Sequence, residues 1–337
     1  MKKFLLVLLV VSLVAVSILA VACQKEEPVA PEAEGEYTIV SPDGAPAIAL
    51  ATFVRNSQVT EEYKVTASVV AASNIKNEVL KSDFAIVPAN MAAILFNAGE
   101  KYKLVSTVTN GNMFILAKEQ EDNFTLENMK GKMLYSIGQG SVPALILLSI
   151  LQKNNIEYVV SETPVEGKVA IQYCDNGQVL MGKLKTATTQ VYGNLAEPAV
   201  NTATINQVGY KVADLQQLWK EATSSEVLGY AQAVLIAKED ICNNKPEVVD
   251  AVVKAIKDSE QYVIDNAQEV AETLKTVYPE TSMKQLFPIV VTNCNVKVHT
   301  AKDNFDYIKT TLDAAHAINP QSVGGSVPAR DSGFYYL

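Results

Sequence analysis

The chain has 337 residues and a formal net charge of −9, from 28 lysines and arginines against 37 aspartates and glutamates. This acidic balance, without a cluster of basic residues, argues against binding to nucleic acid. The stretch from Tyr37 to Leu337 is too long for one simple hydrophobic core, so it predicts two domains.

The N-terminus has the three parts of a secretory signal peptide. Met1–Lys3 is positively charged, Phe4–Leu19 is almost wholly apolar, and small residues follow. Cys23 comes next, which is typical of a bacterial lipobox, although Ala20 stands where leucine is usual. We therefore predict a lipoprotein signal peptide over residues 1–22 and a lipid on Cys23. An ordinary signal peptide or an uncleaved anchor is the alternative.

Residues 23–36 are acidic and rich in proline and alanine, without apolar periodicity. Such a segment cannot bury enough apolar surface to fold by itself. It is predicted to be a flexible tether that joins a lipid anchor in the bacterial cell membrane to an extracytoplasmic folded body.

In chain order, the body alternates strand-like and helix-like segments, which predicts an α/β fold with largely parallel sheets. Apolar and β-branched runs predict strands at Tyr37–Val40, Tyr63–Val70, Asp83–Val87, Tyr102–Val108, Met113–Lys118, Lys132–Ile137, Glu157–Ser161, Thr186–Val191 and Gly229–Ala237. Helical patterns are predicted at Ala47–Asn56, Met91–Phe96, Ala144–Gln152, Pro246–Leu274, Ser282–Ile289 and Ala301–Ile318.

Two strand–loop–helix units share a design. Ser41–Pro46 and Gly138–Pro143 each follow a predicted strand and combine glycine with a proline at the start of a helix. Ligands of open parallel sheets bind beyond the carboxyl ends of the strands, where helix N-termini offer free backbone N–H groups. We therefore expect both loops, together with Pro88–Asn90, to contact a ligand. Either loop alone could be an ordinary connection.

Five stretches of the chain resemble the type II periplasmic solute-binding proteins, and within them the group of nitrate, sulfonate, taurine and thiamine-precursor receptors. They are Ser41–Ala47, Asp83–Asn90, Gly138–Pro143, Ala196–Pro198 and Asn319–Gly325. The resemblance implies the receptor subunit of an ABC importer, monomeric, with permease and ATPase subunits as its partners. A ligand-sensing lipoprotein without a permease is the alternative with the same fold.

The resemblance also implies a two-lobed, Venus-flytrap architecture, in which each lobe is a mostly parallel sheet flanked by helices. Lobe I would comprise residues 37–111 and 229–337, and lobe II residues 112–228. We expect crossovers near Asn110–Phe114 and Ser225–Tyr230, with the C-terminal helices returning to lobe I. Closure on the ligand would be a hinge motion.

The residues predicted to bind the ligand lie in loops at the expected cleft: Ser41, Asp43, Gly44, Ala45, Pro88, Asn90, Asn110, Asn112, Gln139, Gly140, Ser141, Tyr192 and Glu197. Most are neutral and polar, and the two arginines of the chain, Arg55 and Arg330, lie elsewhere. An anion clamped by arginine is therefore disfavoured.

The carboxylates Asp43 and Glu197 would oppose an anion, and Tyr192 could stack on a ring. These features favour a small neutral or cationic nitrogen heterocycle, such as a pyrimidine precursor of thiamine. A nitrate, sulfonate or taurine held on helix N-termini stays an alternative. For Asp43 the other interpretation is a local turn. For Glu197 it is a salt bridge or a charge at a helix start.

The sequence predicts no enzyme, no cofactor and no metal site. His299 and His316 lie outside the expected cleft, and the chain has no nucleophile elbow, phosphate-binding loop or dinucleotide fingerprint. Three cysteines remain after Cys23, namely Cys174, Cys242 and Cys294. Their spacing is not that of a metal site, and burial as small apolar residues or one disulfide are the options.

Overall fold

The computed structural model of the protein describes residues 35–60 and 62–337. The predicted signal peptide, the predicted lipid site at Cys23 and residues 23–34 of the predicted tether lie outside these ranges. Within them, no helix is long and apolar enough to cross a membrane.

In the described ranges, the first sheet has five strands in the order β2-β1-β3-β11-β4. They are β1 (Gly35–Pro42), β2 (Tyr63–Val70), β3 (Phe84–Pro88), β4 (Tyr102–Thr109) and β11 (Ala233–Lys238). β1 pairs in parallel with β2 and β3, whereas β11 runs antiparallel to β3 and β4.

The second sheet takes six strands from the same part of the chain, in the order β10-β5-β9-β6-β8-β7. They are β5 (Met113–Ala117), β6 (Met133–Ser136), β7 (Tyr158–Val160), β8 (Val169–Tyr173), β9 (Tyr192–Ala196) and β10 (Tyr210–Asp214). β9, β6, β8 and β7 are parallel to one another, and β5 is antiparallel to β9 and β10.

Helices flank both sheets. They are α1 (Ala45–Ile48), α2 (Ala51–Arg55), α3 (Ile75–Val79), α4 (Ala89–Asn97), α5 (Val142–Lys153), α6 (Gly177–Thr186), α7 (Ala199–Ile205), α8 (Leu215–Thr223), α9 (Glu239–Asn244), α10 (Pro246–Asp265), α11 (Ala267–Val277), α12 (Pro288–Asn293) and α13 (Phe305–Ile318). Short 3-10 turns occur at Ala72–Asn74, Leu126–Met129 and Pro320–Val323. The predicted fold class, with two mostly parallel sheets flanked by helices, is confirmed.

The chain passes from the first sheet to the second between Thr109 and Met113, and it returns between Thr223 and Ala233. The two passages run side by side, because the N–H of Tyr230 donates to the carbonyl of Asn110 at 3.3 Å. β5 and β11, the strands that directly follow the passages, are the ones that run against their neighbours. Each of these two strands therefore begins at the edge of its sheet where the parallel strands end.

A continuous apolar core joins the two sheets. It includes Val87 of β3 and Leu134 of β6, and residues of α13 pack within it against α5. We expected the C-terminal helices to return to the first lobe. α10 and α11 share the core of the first sheet, whereas α13 packs both against α4, beside the first sheet, and against α5, beside the second.

The strand predicted at Thr186–Val191 is wrong. Gly177–Thr186 forms α6, which is capped by the side chain of Asn176, and the strand begins only at Tyr192. Glycine and asparagine at positions 193 and 194 have low strand propensity, so burial within the sheet, and not local preference, decides this element.

The helix predicted at Ser282–Ile289 is wrong over most of its length, because α12 begins at Pro288. A residue before proline is biased towards extended backbone, and Phe287 has φ −124°. The start of the segment is held by a residue that is distant in sequence, since the N–H of Ser282 donates to the carboxylate of Asp43 at 2.8 Å.

Candidate functional site

The carboxyl ends of parallel strands from the two sheets lead into loops that meet. On the first sheet, β1 and β3 end at Pro42 and Pro88. On the second, β6 and β9 end at Ser136 and Ala196. The contact is direct, because the side chain of Asn90 reaches the carbonyl oxygen of Gly140 at 3.1 Å. This seam is where an open α/β sheet places its ligand.

The loop after β1 contains Ser41, Asp43, Gly44 and Ala45. The hydroxyl of Ser41 is buried and donates to the Pro42 carbonyl at 3.0 Å. Asp43 accepts from the hydroxyl of Thr281 at 2.6 Å and from the N–H of Ser282. Asp43 therefore anchors a distant segment, and α1 that follows is a single turn. Neither feature was anticipated from the local turn pattern.

The loop after β3 leads through Pro88 into α4. The N–H of Ala89 donates to the carbonyl of Gln232 at 3.1 Å, which ties the helix start to the return passage. The side chain of Asn90 is 3% exposed. Its amide nitrogen donates to Gly140 and, at 2.9 Å, to the carbonyl of Ser322. Asn90 thus joins both sheets and the C-terminal segment.

The loop after β6 is a tight turn that precedes the twelve-residue helix α5. Gly138 and Gly140 have φ of 75° and 73°, the left-handed region that favours glycine. The N–H and hydroxyl of Ser141 both donate to the carbonyl of Gly138, at 2.9 and 2.7 Å. Gln139 and Gly140 are exposed, so this turn presents backbone and a flexible amide to solvent.

Glu197 follows β9 and is 4% exposed. Its carboxylate accepts from the N–H of Asn201 at 3.0 Å, at the start of α7, and from the amide of Asn293 at 3.2 Å. Burial raises the pKa of Glu197, while these two hydrogen bonds and the charge of Lys211 oppose the rise. The side chain links α7 to α12 on the side of the first sheet.

Asn110 and Asn112 lie in the first passage and hold it in place. The amide nitrogen of Asn110 donates to the carbonyl of Lys297 at 2.6 Å. The amide of Asn112 donates to the carbonyl of Glu197 at 3.1 Å and accepts from Gln232 at 2.6 Å. Both ends of the Asn112 amide are therefore occupied by the protein, and we correct its predicted role from ligand contact to support of the passage.

Tyr192 lies apart from the other predicted residues. It begins β9, whereas the ligand loops follow the strand's carboxyl end, and its ring is fully buried against Phe124 at 5.7 Å. Its hydroxyl donates to the carboxylate of Glu121 at 2.9 Å. A ring so enclosed cannot stack on a ligand in the cleft, and the assignment is corrected.

Two buried polar residues of the second sheet were missed. Ser136 ends β6 and Asn194 lies opposite it in β9, both with no exposed surface. The amide nitrogen of Asn194 donates to the hydroxyl of Ser136 at 3.1 Å. An asparagine within an otherwise apolar five-residue run was a visible signal, but the strand had been placed before it.

Both arginines are engaged away from the seam. Arg55 pairs with Glu269 at 3.0 Å and contacts Tyr262. The guanidinium of Arg330 lies 4.7 Å from the ring centre of Phe305. Elsewhere in the described residues, Cys174, Cys242 and Cys294 are buried free thiols, so no two of them form the disulfide that the sequence left open.

The architecture is similar to that of solved transport receptors. An ABC transporter structure from Parabacteroides distasonis matches with 20% identity and a TM-score of 0.71, over 88% of this chain and 97% of that one. The periplasmic aliphatic sulphonate binding protein of Escherichia coli matches with 12% identity and a TM-score of 0.64, over 90% and 92%. The chain has the periplasmic-binding-protein fold.

A third structure with this fold is the alkanesulfonate-binding protein of Xanthomonas axonopodis pv. citri bound to MOPS. It matches with 14% identity and a TM-score of 0.58, over 88% of this chain and 96% of that one. No protein-family model matches the sequence, and no curated protein does.

Proposed function

We propose that this protein is the substrate-binding component of an ABC importer and captures a small polar solute between two lobes. The observation that carries the proposal is the seam at which loops of both sheets meet around buried polar side chains, including Asn90 and Glu197. In the periplasmic-binding-protein fold, such a seam is where two lobes close on a ligand.

The lobes in this proposal are residues 37–111 with 229–337, and residues 112–228. The two passages between the sheets would act as the hinge. Gly111 and Gly229 have φ of 89° and 86° there, a backbone conformation that residues other than glycine rarely adopt. The passages bond to each other, so they would bend as one unit while the loops beyond them separate.

The ligand that we favour is a small neutral or cationic nitrogen heterocycle, such as a pyrimidine precursor of thiamine. The buried carboxylate of Glu197 lies at the seam and both arginines lie away from it, which disfavours an anion. The alternative is a sulfonate-type anion, as bound by the Xanthomonas protein. It would rest on the start of α5, where a helix offers N–H groups to negative charge.

In the cell, a lipid on Cys23 and the tether of residues 23–36 would keep the receptor at the membrane, on its extracytoplasmic side. Its partners would be the permease and the ATPase of the importer. We expect a monomer, as the resemblance to the solute-binding proteins implies.

Native mass spectrometry of the gently purified protein tests the function. We expect a fraction of molecules to carry a small noncovalent ligand, and the same protein unfolded, dialysed and refolded is the control that has lost it. Chemical conversion of that ligand by the protein would contradict the proposal, because a receptor releases what it binds unchanged. Failure to retain or rebind any small molecule would also contradict it.

A further inference from the structure

Three buried asparagine oxygens have no hydrogen-bond partner among the described residues, namely Oδ1 of Asn90, Asn110 and Asn194. Those of Asn90 and Asn194 lie near the ends of strands from the two sheets, at the seam, whereas that of Asn110 lies in the first passage. We propose that the pair at the seam reads hydrogen-bond donors of the ligand, so that the ligand offers at least two N–H or O–H groups to them. This inference rests on the proposed function and selects between its two ligand classes.

The orientation of the Asn90 amide follows from its partners. Its nitrogen lies 3.1 Å from the Gly140 carbonyl oxygen and 2.9 Å from the Ser322 carbonyl oxygen. A carbonyl oxygen can only accept, so the NH₂ group must face both of them. Oδ1 is thereby turned away from these contacts and left without a donor.

The Asn194 amide is oriented by the hydroxyl of Ser136, which can donate one hydrogen bond and accept others. The hydroxyl of Ser136 donates to the carbonyl of Ile137 at 3.1 Å, so its oxygen is left to accept. The NH₂ group of Asn194 supplies that hydrogen at 3.1 Å, and Oδ1 is again the unpaired end. Both amides are therefore acceptors towards whatever lies beside them.

The two acceptors flank one short segment of the second sheet. Asn194 is paired with Ser136, and Asn90 with Gly140, four residues further along. Four residues span at most about 14 Å when extended, and the turn at Gly138–Ser141 shortens this distance. A ligand of about the size of a substituted six-membered ring would therefore be needed to reach both oxygens across this distance.

The cost of leaving buried acceptors unpaired and the negative charge of Glu197 both favour a ligand that carries N–H or O–H groups. A buried acceptor without a donor is costly to the folded protein, and Asn90 and Asn194 are 3% and 0% exposed. The oxygens of a sulfonate also carry lone pairs, so an anion here would face two acceptors and the nearby carboxylate of Glu197. Amino, ring N–H or hydroxyl groups would satisfy both acceptors.

The test uses the full protein as purified, with Asn194→Leu and Asn194→Asp as variants. Leucine keeps the volume and removes the acceptor. Aspartate keeps an acceptor, and the Ser136 hydroxyl can rotate from the Ile137 carbonyl to donate to its second oxygen, so this variant guards against a failure of the leucine variant to fold. Asn97→Leu is the control, because Asn97 is an exposed asparagine of α4 that donates to Val323 and Ser326 only.

The retained molecule is identified by native mass spectrometry, and its affinity is measured by calorimetry. Methanesulfonate, an anion without N–H or O–H groups, and cytosine serve as anionic and neutral probes. We expect a molecule with at least two donors, bound roughly tenfold more weakly by Asn194→Leu and unchanged in Asn97→Leu. Asn194→Asp should bind it and should not bind methanesulfonate.

Several results would overturn the pairing of Asn90 and Asn194 with donors while leaving the receptor role intact. They are a retained or preferred anion without N–H or O–H groups, equal affinity in Asn194→Leu and wild type, and a crystal structure with only water at both oxygens beside a ligand held elsewhere. A protein that retains nothing and binds neither probe fails the proposed function itself.

Discussion

The return passage at Gly229 offers a sharp test of the proposed hinge. Gly229 has φ 86°, and a Cβ built on it would lie 2.0 Å from the carbonyl oxygen of Asn110. That oxygen accepts from the N–H of Tyr230 at 3.3 Å and from the amide of Asn295 at 2.7 Å. Alanine at position 229 must therefore push the two passages apart.

The cost of Gly229→Ala has two sources. A left-handed backbone costs an alanine about 1–2 kcal/mol relative to glycine. Displacing the Asn110 carbonyl breaks at least one hydrogen bond and strands a buried donor, which costs about 1–3 kcal/mol more. We expect the free energy of unfolding to fall by roughly 3 kcal/mol.

Urea unfolding followed by circular dichroism measures this difference. Gly99→Ala is the matched control, because Gly99 has φ 90° and no atom within 4 Å of an added Cβ. It should show only the backbone strain, about 1–2 kcal/mol. Equal destabilisation by the two variants would refute the argument from the contact between the passages.

Two further predictions concern Glu197 and Tyr192. Burial raises the pKa of Glu197 above its ordinary value of 4.5, so its contribution to stability is present at acid pH and is lost as pH rises through the raised pKa. As pH rises from about 4 to neutral, the free energy of unfolding of Glu197→Gln should therefore increase relative to that of wild type. A difference in unfolding free energy between the two proteins that is constant with pH would contradict this. Tyr192→Phe loses its bond to Glu121 and should lower the free energy of unfolding by about 1–3 kcal/mol. The affinity of Tyr192→Phe for the ligand, measured by calorimetry, should equal that of wild type. A large loss of affinity would show that Tyr192 contacts the ligand.

Local patterns predicted most of the strands well. Tyr63–Val70 matches β2 residue for residue, and Met113–Lys118 matches β5 to within one residue. Alternation of apolar runs with glycine- and proline-containing loops is a property of neighbouring residues, so one sequence suffices to detect it. β9 escaped detection because Gly193 and Asn194 are poor strand formers whose place is set by the sheet around them.

The candidate site divides in the same way. Ser41, Asn90 and Gly140 were predicted at the cleft from the strand–loop–helix pattern that surrounds each of them, and they lie in loops of the seam. Asn194 was missed, and Tyr192 was assigned to the cleft although it lies at the other end of the same strand. Which end of a strand meets the ligand follows from the topology of the sheet. Because the strand was predicted to end at Val191, Tyr192 was placed beyond its carboxyl end, although it is the first residue of β9.

The fold class and the loops at which strands give way to helices can be predicted from the sequence alone, because they depend on residues a few positions apart. What each polar side chain does depends on partners that are distant in sequence. Asn90 meets Gly140 and Ser322 across 50 and 232 positions, and Asp43 meets Thr281 across 238. A side chain becomes an anchor or an unpaired acceptor through partners that only folding brings together, and no local pattern encodes that choice.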